Sequence, residues 1–148
     1  MAVADDLDTA TDSQWDWVAE QARTYIGSGG TEGHESDGLY TLVLATTGRR
    51  TGLARRTVLI YGTSGEEFVV VASNGGADED PSWVHNLRAE PSVGVQVGTR
   101  RFTASARFAS PAERERLWPL MVEIFPLYAE YAEKTERVIP VVVLTPQD

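Results

Sequence analysis

The sequence predicts a mainly β fold of the α+β kind, a small antiparallel barrel carrying a few peripheral helices. Three observations lead there. After residue 38 the chain breaks into about five or six short strand-like runs, two pairs of them joined by glycine-containing turns. No strand–helix–strand alternation runs through it, which argues against a doubly wound sheet. No G-x-G-x-x-G or Walker pattern opens a helix, which removes Rossmann dehydrogenases and P-loop NTPases. At 148 residues, one such domain is the expected content.

The spacing of Trp15, Val18, Ala19, Ala22 and Ile26 predicts an amphipathic helix over residues 12–26, capped by Thr11 or Asp12 and stopped by Gly27. Residues 27–38 read as a glycine-rich polar linker. The chain thus divides into an acidic helix and linker, 1–38, and a barrel segment, 39–148. Leu39–Thr46 is the first strand expected. Thr57–Tyr61 and Phe68–Ser73 flank Gly62-Thr63-Ser64-Gly65 as a predicted hairpin, and Val93–Val97 and Phe102–Phe108 flank Gly98-Thr99 as a second. Between them, Asp80 and Pro81 read as N-cap and first residue of a short helix that Pro91 ends. Ser110-Pro111-Ala112-Glu113 is a capping box opening a helix that Pro119 should kink. A further short helix runs from Pro126 to Lys134. Val138–Leu144 is the last strand, which Pro140 assigns to an edge or an irregularity.

Composition excludes several functions. No cysteine is present, so disulfides, thiolate nucleophiles and Cys-ligated metals are ruled out, and His34 and His85 alone make a thin metal site. No apolar run approaches the roughly 20 residues of a membrane span. The net charge of −9 sits unevenly: nine acids against Arg23 in residues 1–40, near balance beyond. Global nucleic-acid binding is therefore not expected.

Against that balance, Arg49, Arg50, Arg55 and Arg56 fall within eight residues that hold no acid, between two strands. Gly48 and Gly52 let the backbone turn there, and guanidinium forks suit an anionic ligand. A solvated hairpin tip is the plain alternative. Ala72-Ser73-Asn74-Gly75-Gly76-Ala77 is a small-residue loop able to admit a flat ligand close to the backbone. Tyr128 and Tyr131 share a helix face and fit either a core or a pocket mouth. His85, beside Asn86, reads as a helix-surface residue or a proton donor.

Thr46-Thr47-Gly48-Arg49-Arg50-Thr51-Gly52, followed by Arg55, resembles the TTGRKTG…R segment of the deazaflavin-dependent nitroreductase family of actinobacteria. Val71 through Ala77, then Pro81, Trp83, Asn86, Leu87 and Pro91, resembles that family's ASKGGA…P.W..NL…P block. Phe125-Pro126-x-Tyr128-x-x-Tyr131 and Thr135-x-Arg137-x-Ile139-Pro140-Val141-Val142 match its C-terminal signature. The resemblance implies a split β-barrel like those that bind flavin mononucleotide (FMN). It implies coenzyme F420, an 8-hydroxy-5-deazaflavin with a phosphate and an oligoglutamate tail, as hydride donor.

On that resemblance Arg49, Arg50, Thr51, Arg55 and Arg56 hold the phosphate and tail. Thr57, Val58, Leu59, Ile60, Val71, Ala72, Ser73 and Asn74 lie along the ring and its linker. Trp83, His85 and Asn86 close the site, while Tyr128, Tyr131 and Ser73 serve the acceptor. No metal is implied. The chain departs from the prototype at Asn74, Arg50, Glu79 and Phe125. The implied activity is a cytoplasmic F420H2-dependent reduction of a small electron-poor acceptor such as a quinone, enone or nitroaromatic. An FMN oxidoreductase on the same barrel and a non-catalytic deazaflavin-binding protein are the alternatives. Monomer or homodimer, peripheral membrane contact, and the role of the acidic extension stay open.

Overall fold

The computed structural model describes residues 1–147; Asp148, the last residue of the expected barrel segment, lies outside them. Eight strands form one antiparallel sheet that curls into a half-barrel, joined by four helices. The strands are β1 (Glu35–Ser36), β2 (Leu39–Thr47), β3 (Ala54–Ile60), β4 (Gly62–Ser64), β5 (Glu67–Val71), β6 (Ser92–Val97), β7 (Arg100–Phe108) and β8 (Val141–Pro146). The helices are α1 (Asp16–Gly27), α2 (Ser82–Ala89), α3 (Pro111–Ile124) and α4 (Leu127–Glu133). The main hydrogen-bonded order is β1-β2-β6-β7-β8-β5-β4, with β3 paired to β2 alone.

β2 is the axis of the sheet. Its run Leu42-Val43-Leu44-Ala45 is fully buried and pairs with β3 on one side and β6 on the other. Leu42 and Leu44 face the barrel interior with Val70, Val84, Val93, Val95, Val142 and Leu144. Val43 and Ala45 face outward, where Leu7 and Tyr25 cover them. A third cluster covers the outer faces of Val69, Val71, Val141 and Val143 with α3 and α4, through Leu117, Met121 and Tyr128.

Residues 1–12 belong to this packing. Ala4–Leu7 form a 3-10 turn against β6, at a place where Gly94 has no room for a Cβ beside the Val3 carbonyl. The Ser92 hydroxyl donates to the Ala2 carbonyl at 2.9 Å, and the Ala4 N–H donates to Thr103 Oγ1 at 3.0 Å. Thr11 adds a parallel bridge beside Arg55, its N–H donating to the Ala54 carbonyl at 2.8 Å. Asp8 pairs with Arg101 through two hydrogen bonds of 2.7 and 2.9 Å. The Arg101 guanidinium holds the Asp8 carboxyl below its ordinary range. The acidic extension is thus a strap across the outer face of the sheet.

Several expected boundaries shift, each for a local reason. The first helix begins at Asp16 and not at residue 12, because Asp12 is bonded to Arg56 and is unavailable as a cap. Its buried face is Val18, Ala19, Ala22 and Tyr25, while Trp15 is 60% exposed. The end of the expected linker forms a hairpin, in which β1 pairs with β2 across Asp37 and Gly38, both at positive φ. Gly62-Thr63-Ser64 is not a turn between paired strands: it is β4 itself, which pairs with β5, while β3 pairs with β2. Gly62 cannot carry a side chain there, since a Cβ would press on Met121 and Ile124 of α3. Asp80 does not cap α2, since its carboxylate binds Arg137 and Arg88. Pro140 precedes β8, which is an interior strand between β7 and β5. α3 runs unbroken through Pro119. The β6–β7 hairpin around Gly98-Thr99 and the Ser110 capping box form as expected.

Two outcomes follow from the strap. Leu7→Ala should cost about 2–5 kcal/mol in denaturant unfolding, the range for emptying a buried leucine site, whereas Leu53→Ala at an exposed position should stay within about 0.5 kcal/mol.

The Tyr25 hydroxyl donates to the Thr41 carbonyl at 2.8 Å and accepts from the Gly98 N–H at 2.7 Å. Burial pushes its ionisation from 10.0 up to about 12, against the opposing pull of the Gly98 N–H. The folded state therefore holds this proton more tightly than the unfolded chain. Its contribution to stability is present below pH 10 and is lost as the pH rises toward 12. In chemical unfolding followed across this window, Tyr25→Phe should flatten the alkaline fall in stability.

Candidate functional site

The connection from β2 to β3 is a compact loop. The Gly48 N–H donates to the Leu53 carbonyl and the Gly52 N–H to the Gly48 carbonyl, both at 2.8 Å. Gly52 has φ +75°, a conformation glycine adopts without steric cost. Asn86 fastens the loop to α2. Its amide oxygen accepts from the Arg49 N–H at 3.1 Å, and its NH2 donates to Thr46 Oγ1 at 3.1 Å. Asn86 is 3% exposed, so it builds the loop from beneath.

The four clustered arginines divide. Arg49, Arg50 and Arg55 are exposed and have no carboxylate partner among the described residues. Arg56 is turned the other way and buried. Its Nε donates to Asp12 at 2.6 Å and an Nη to the Leu7 carbonyl at 2.9 Å. Adjacent residues of a strand point to opposite faces, so Arg55 and Arg56 cannot both reach one ligand surface. The structure thus gives Arg56 to the strap. Thr51 Oγ1 accepts from the Leu53 N–H at 3.2 Å.

Thr57 to Ile60 are half-buried on β3, whose other edge carries no ladder. Val58 packs against the Leu7–Tyr25 cluster and Leu59 against the barrel interior. Val71 faces the α3–α4 cluster, while Ala72 faces the interior. The expected ring contacts are therefore spread over both faces of the sheet. Beyond β5, Ser73 is half-buried and Asn74 exposed, at φ +48°, with its NH2 donating to the Glu79 carbonyl at 3.0 Å. Trp83 belongs to the interior cluster, and His85 is half-buried on α2.

Tyr128 and Tyr131 separate as well. Tyr128 is 4% exposed, edge-on to Phe125 at 5.0 Å and near Trp118, so the structure places it in the core and not at a pocket mouth. Burial pushes its phenol well above the ordinary tyrosine range, which keeps the proton on it. Tyr131 is half-buried, and its backbone packs against Gly76 so tightly that a Cβ there would meet it at about 3.0 Å. The loop 73–77 and Tyr131 are therefore in contact.

Sequence reading missed Arg137, whose guanidinium binds the carbonyls of Ala72, Ser73 and Ala77 and the carboxylate of Asp80. Its partners lie roughly 60 positions away, beyond any spacing rule, and only its place in the C-terminal motif marked it. A hollow of about 420 Å³ lies on this side, lined by Asp78, Glu133, Lys134, Thr135, Glu136 and Arg137. Its wall carries three carboxylates beside Lys134 and Arg137, so it lacks the acid-free character of the arginine loop. Among the described residues no group of His, Asp and Glu is placed to hold a metal.

The chain is a curled antiparallel half-barrel with three arginines lacking carboxylate partners at one strand-end loop. The model of the F420H(2)-dependent quinone reductase family matches residues 17–146, and the chain belongs to that family. An F420H(2)-dependent quinone reductase of Mycobacterium tuberculosis is 41% identical over 125 residues, 82% of this chain and 84% of the relative. A solved F420-H2 dependent reductase is similar at TM-score 0.66 and 39% identity, over 70% of this chain and 92% of that one. A structure described as a domain-swapped dimer aligns at TM-score 0.69 and 37% identity, covering 89% and 99%.

The residues present fit coenzyme F420. The three arginines match a phosphate and a carboxylate tail. At the base of their loop, Thr47 Oγ1 is buried without a hydrogen-bond partner among the described residues, a polar atom left for a ligand. Tyr128→Phe should keep the melting temperature within a few degrees, while Tyr128→Ala should lower stability by about 3–5 kcal/mol, measured by denaturant unfolding.

Proposed function

We propose that this protein is a cytoplasmic F420H2-dependent reductase acting on a quinone-class small molecule. The observation that carries the reading is the set Arg49, Arg50 and Arg55, left without carboxylates in a chain of net charge −9. A protein with so many acids that keeps three neighbouring cations unpaired presents them to an outside anion. A tail with several carboxylates uses all three, whereas the single phosphate of FMN leaves cations over. The name of the mycobacterial relative supports a quinone as acceptor. No described helix is long and apolar enough to cross a membrane.

When bound, reduced deazaflavin supplies a hydride, and the protein supplies orientation and charge. Arg49, Arg50 and Arg55 hold the phosphate and tail, with Thr51 and the Gly48–Gly52 turn setting the loop from which they reach. Thr57 to Ile60 on the unladdered edge of β3, and Val71 to Asn74 after β5, flank the ring. Trp83, His85 and Asn86 of α2 support this wall. Ser73 and Tyr131 lie on the acceptor side, where either hydroxyl can orient the acceptor and Tyr131 can donate a proton. Tyr128 backs Tyr131 through the shared Phe125 contact. Arg56 acts through the strap.

The arginines test this directly. Arg50→Ala and Arg55→Ala should each weaken F420 binding about tenfold, more for longer tails and less at high salt, by anaerobic fluorescence titration. Arg56→Ala should instead lower the unfolding midpoint. Unchanged binding in both exposed-arginine variants would overturn the reading and leave the loop a hairpin tip.

A further inference from the structure

The Arg137 guanidinium is devoted to one loop. Its Nε donates to the Ala77 carbonyl at 2.8 Å, one Nη to the Asp80 carboxylate at 2.9 Å, and the other Nη to the carbonyls of Ala72 and Ser73 at 3.3 and 2.9 Å. The side chain is 15% exposed. Three of the four acceptors are backbone carbonyls, so the guanidinium acts on peptide planes more than on side chains. A lysine ammonium, a compact point charge, cannot span this fork of acceptors.

In a trans peptide the C=O and the following N–H point in opposite directions, and the described chain has no cis bond. Holding the Ala72 and Ser73 carbonyls on Arg137 therefore turns the N–H groups of Ser73 and Asn74 away from it. Neither N–H has an acceptor among the described residues. The loop does not hold this shape cheaply: Asn74, Gly75 and Gly76 follow one another at φ +48°, +64° and +84°. Asn74, the one non-glycine residue of the three, is held there by its own bond to the Glu79 carbonyl and, through the Ser73 carbonyl, by Arg137.

We propose that Arg137 is a positioning residue of the reductase site, fixing the Ser73 and Asn74 N–H groups as a donor pair for an electron-rich heteroatom on the ring of the bound cofactor. The inference rests on the F420-dependent reading. It makes Arg137 a determinant of ring placement, distinct from the arginines that take the tail. A guanidinium that merely ties β5 to the segment before β8 would affect stability alone.

The test separates the two. In the ligand-free protein, Arg137→Ala should speed amide exchange of Gly76 and Ala77, whose N–H groups bond to Ser73 and Asn74, by about tenfold or more, with the β6–β7 ladder unchanged. F420 affinity should fall about tenfold and kcat should fall more than the acceptor KM changes. Millimolar guanidinium should restore part of the turnover in Arg137→Ala. Arg137→Lys should remain impaired, and it carries the same measurements if the alanine variant does not fold. Unaltered exchange at Gly76 and Ala77 overturns the proposal. So does faster exchange accompanied by wild-type affinity and kcat, which leaves only a structural tie. If the wild-type protein binds no F420, the functional reading and the donor-pair role fall together, while the exchange data still decide whether Arg137 sets the loop.

Discussion

Burial of β2 on both faces is the constraint from which most of the structure follows. Its four central residues are sealed from water on each side and hydrogen-bonded along both edges. A sheet that curls can bury only its inner face by itself. The outer face of Val43 and Ala45 needs a separate cover, and Leu7 and Tyr25 provide it. The strap must then cross β3, and Arg56 on that strand takes Asp12 and the Leu7 carbonyl as its partners. Arg55, one residue earlier, points the other way and stays exposed. The division of the arginine cluster into a buried, paired member and three exposed ones thus descends from the need to cover β2.

Part of this was legible in the chain. Leu39–Thr46 was readable as a strand, while the burial of its run Leu42-Val43-Leu44-Ala45 on both faces emerges only with Leu7 and Tyr25 in place. The Gly98-Thr99 hairpin and the Ser110 capping box were readable because their determinants are neighbours in sequence. The 57–73 hairpin was not. Gly62-Thr63-Ser64 has turn composition, but Gly62 is there because α3 leaves no room for a Cβ, a fact of tertiary packing. The family motifs mark the segments expected to form the site, and position alone assigns both Arg55 and Arg56 there. Period-two alternation along a strand separates them, once residues 54–60 are known to be one. Asp12 and Arg137 act across 44 and roughly 60 positions, where spacing carries no information.

The acidic N-terminus looks different once its partners are known. Asp8 and Asp12 are counter-ions to Arg101, Arg56 and Arg23. Arg101 also donates to the buried Gln96 side chain at 2.7 Å, which joins the strap to the β6–β7 turn. Acids near the start of the chain are thus spent inside the fold. Elsewhere Arg107 pairs with Glu67 and Glu113, and Arg88 and Arg137 with Asp80, while Arg100, Arg114 and Arg116 settle on aromatic rings, a carbonyl or a hydroxyl. Arg49, Arg50 and Arg55 differ from all of these in that their guanidinium groups have neither a carboxylate nor any other side-chain partner among the described residues. A solvated arginine is ordinary, but three within one short segment that holds no acid form a local positive field on an anionic molecule.

The two loops proposed to frame the site reach the same end by different routes. In the 48–53 loop the carbonyls of Gly48 and Leu53 are taken up internally, and Asn86 takes the Arg49 N–H from beneath, leaving guanidinium groups as the outward donors. In the 72–77 loop the carbonyls of Ala72, Ser73 and Ala77 are taken up by Arg137, leaving peptide N–H groups as the outward donors. Backbone C=O groups outside regular structure ordinarily offer acceptors to a ligand; here those of Gly48, Leu53, Ala72, Ser73, Asn74 and Ala77 are already taken. What both loops present is hydrogen-bond donors, one set charged and one neutral. Such a surface favours a ligand rich in acceptors along its whole length, with full negative charge at one end and polarisable oxygen or nitrogen at the other. A phosphate–carboxylate tail joined to a heteroatom-rich ring has that distribution, and the two loops leave the buried strands β2 and β5 of one sheet.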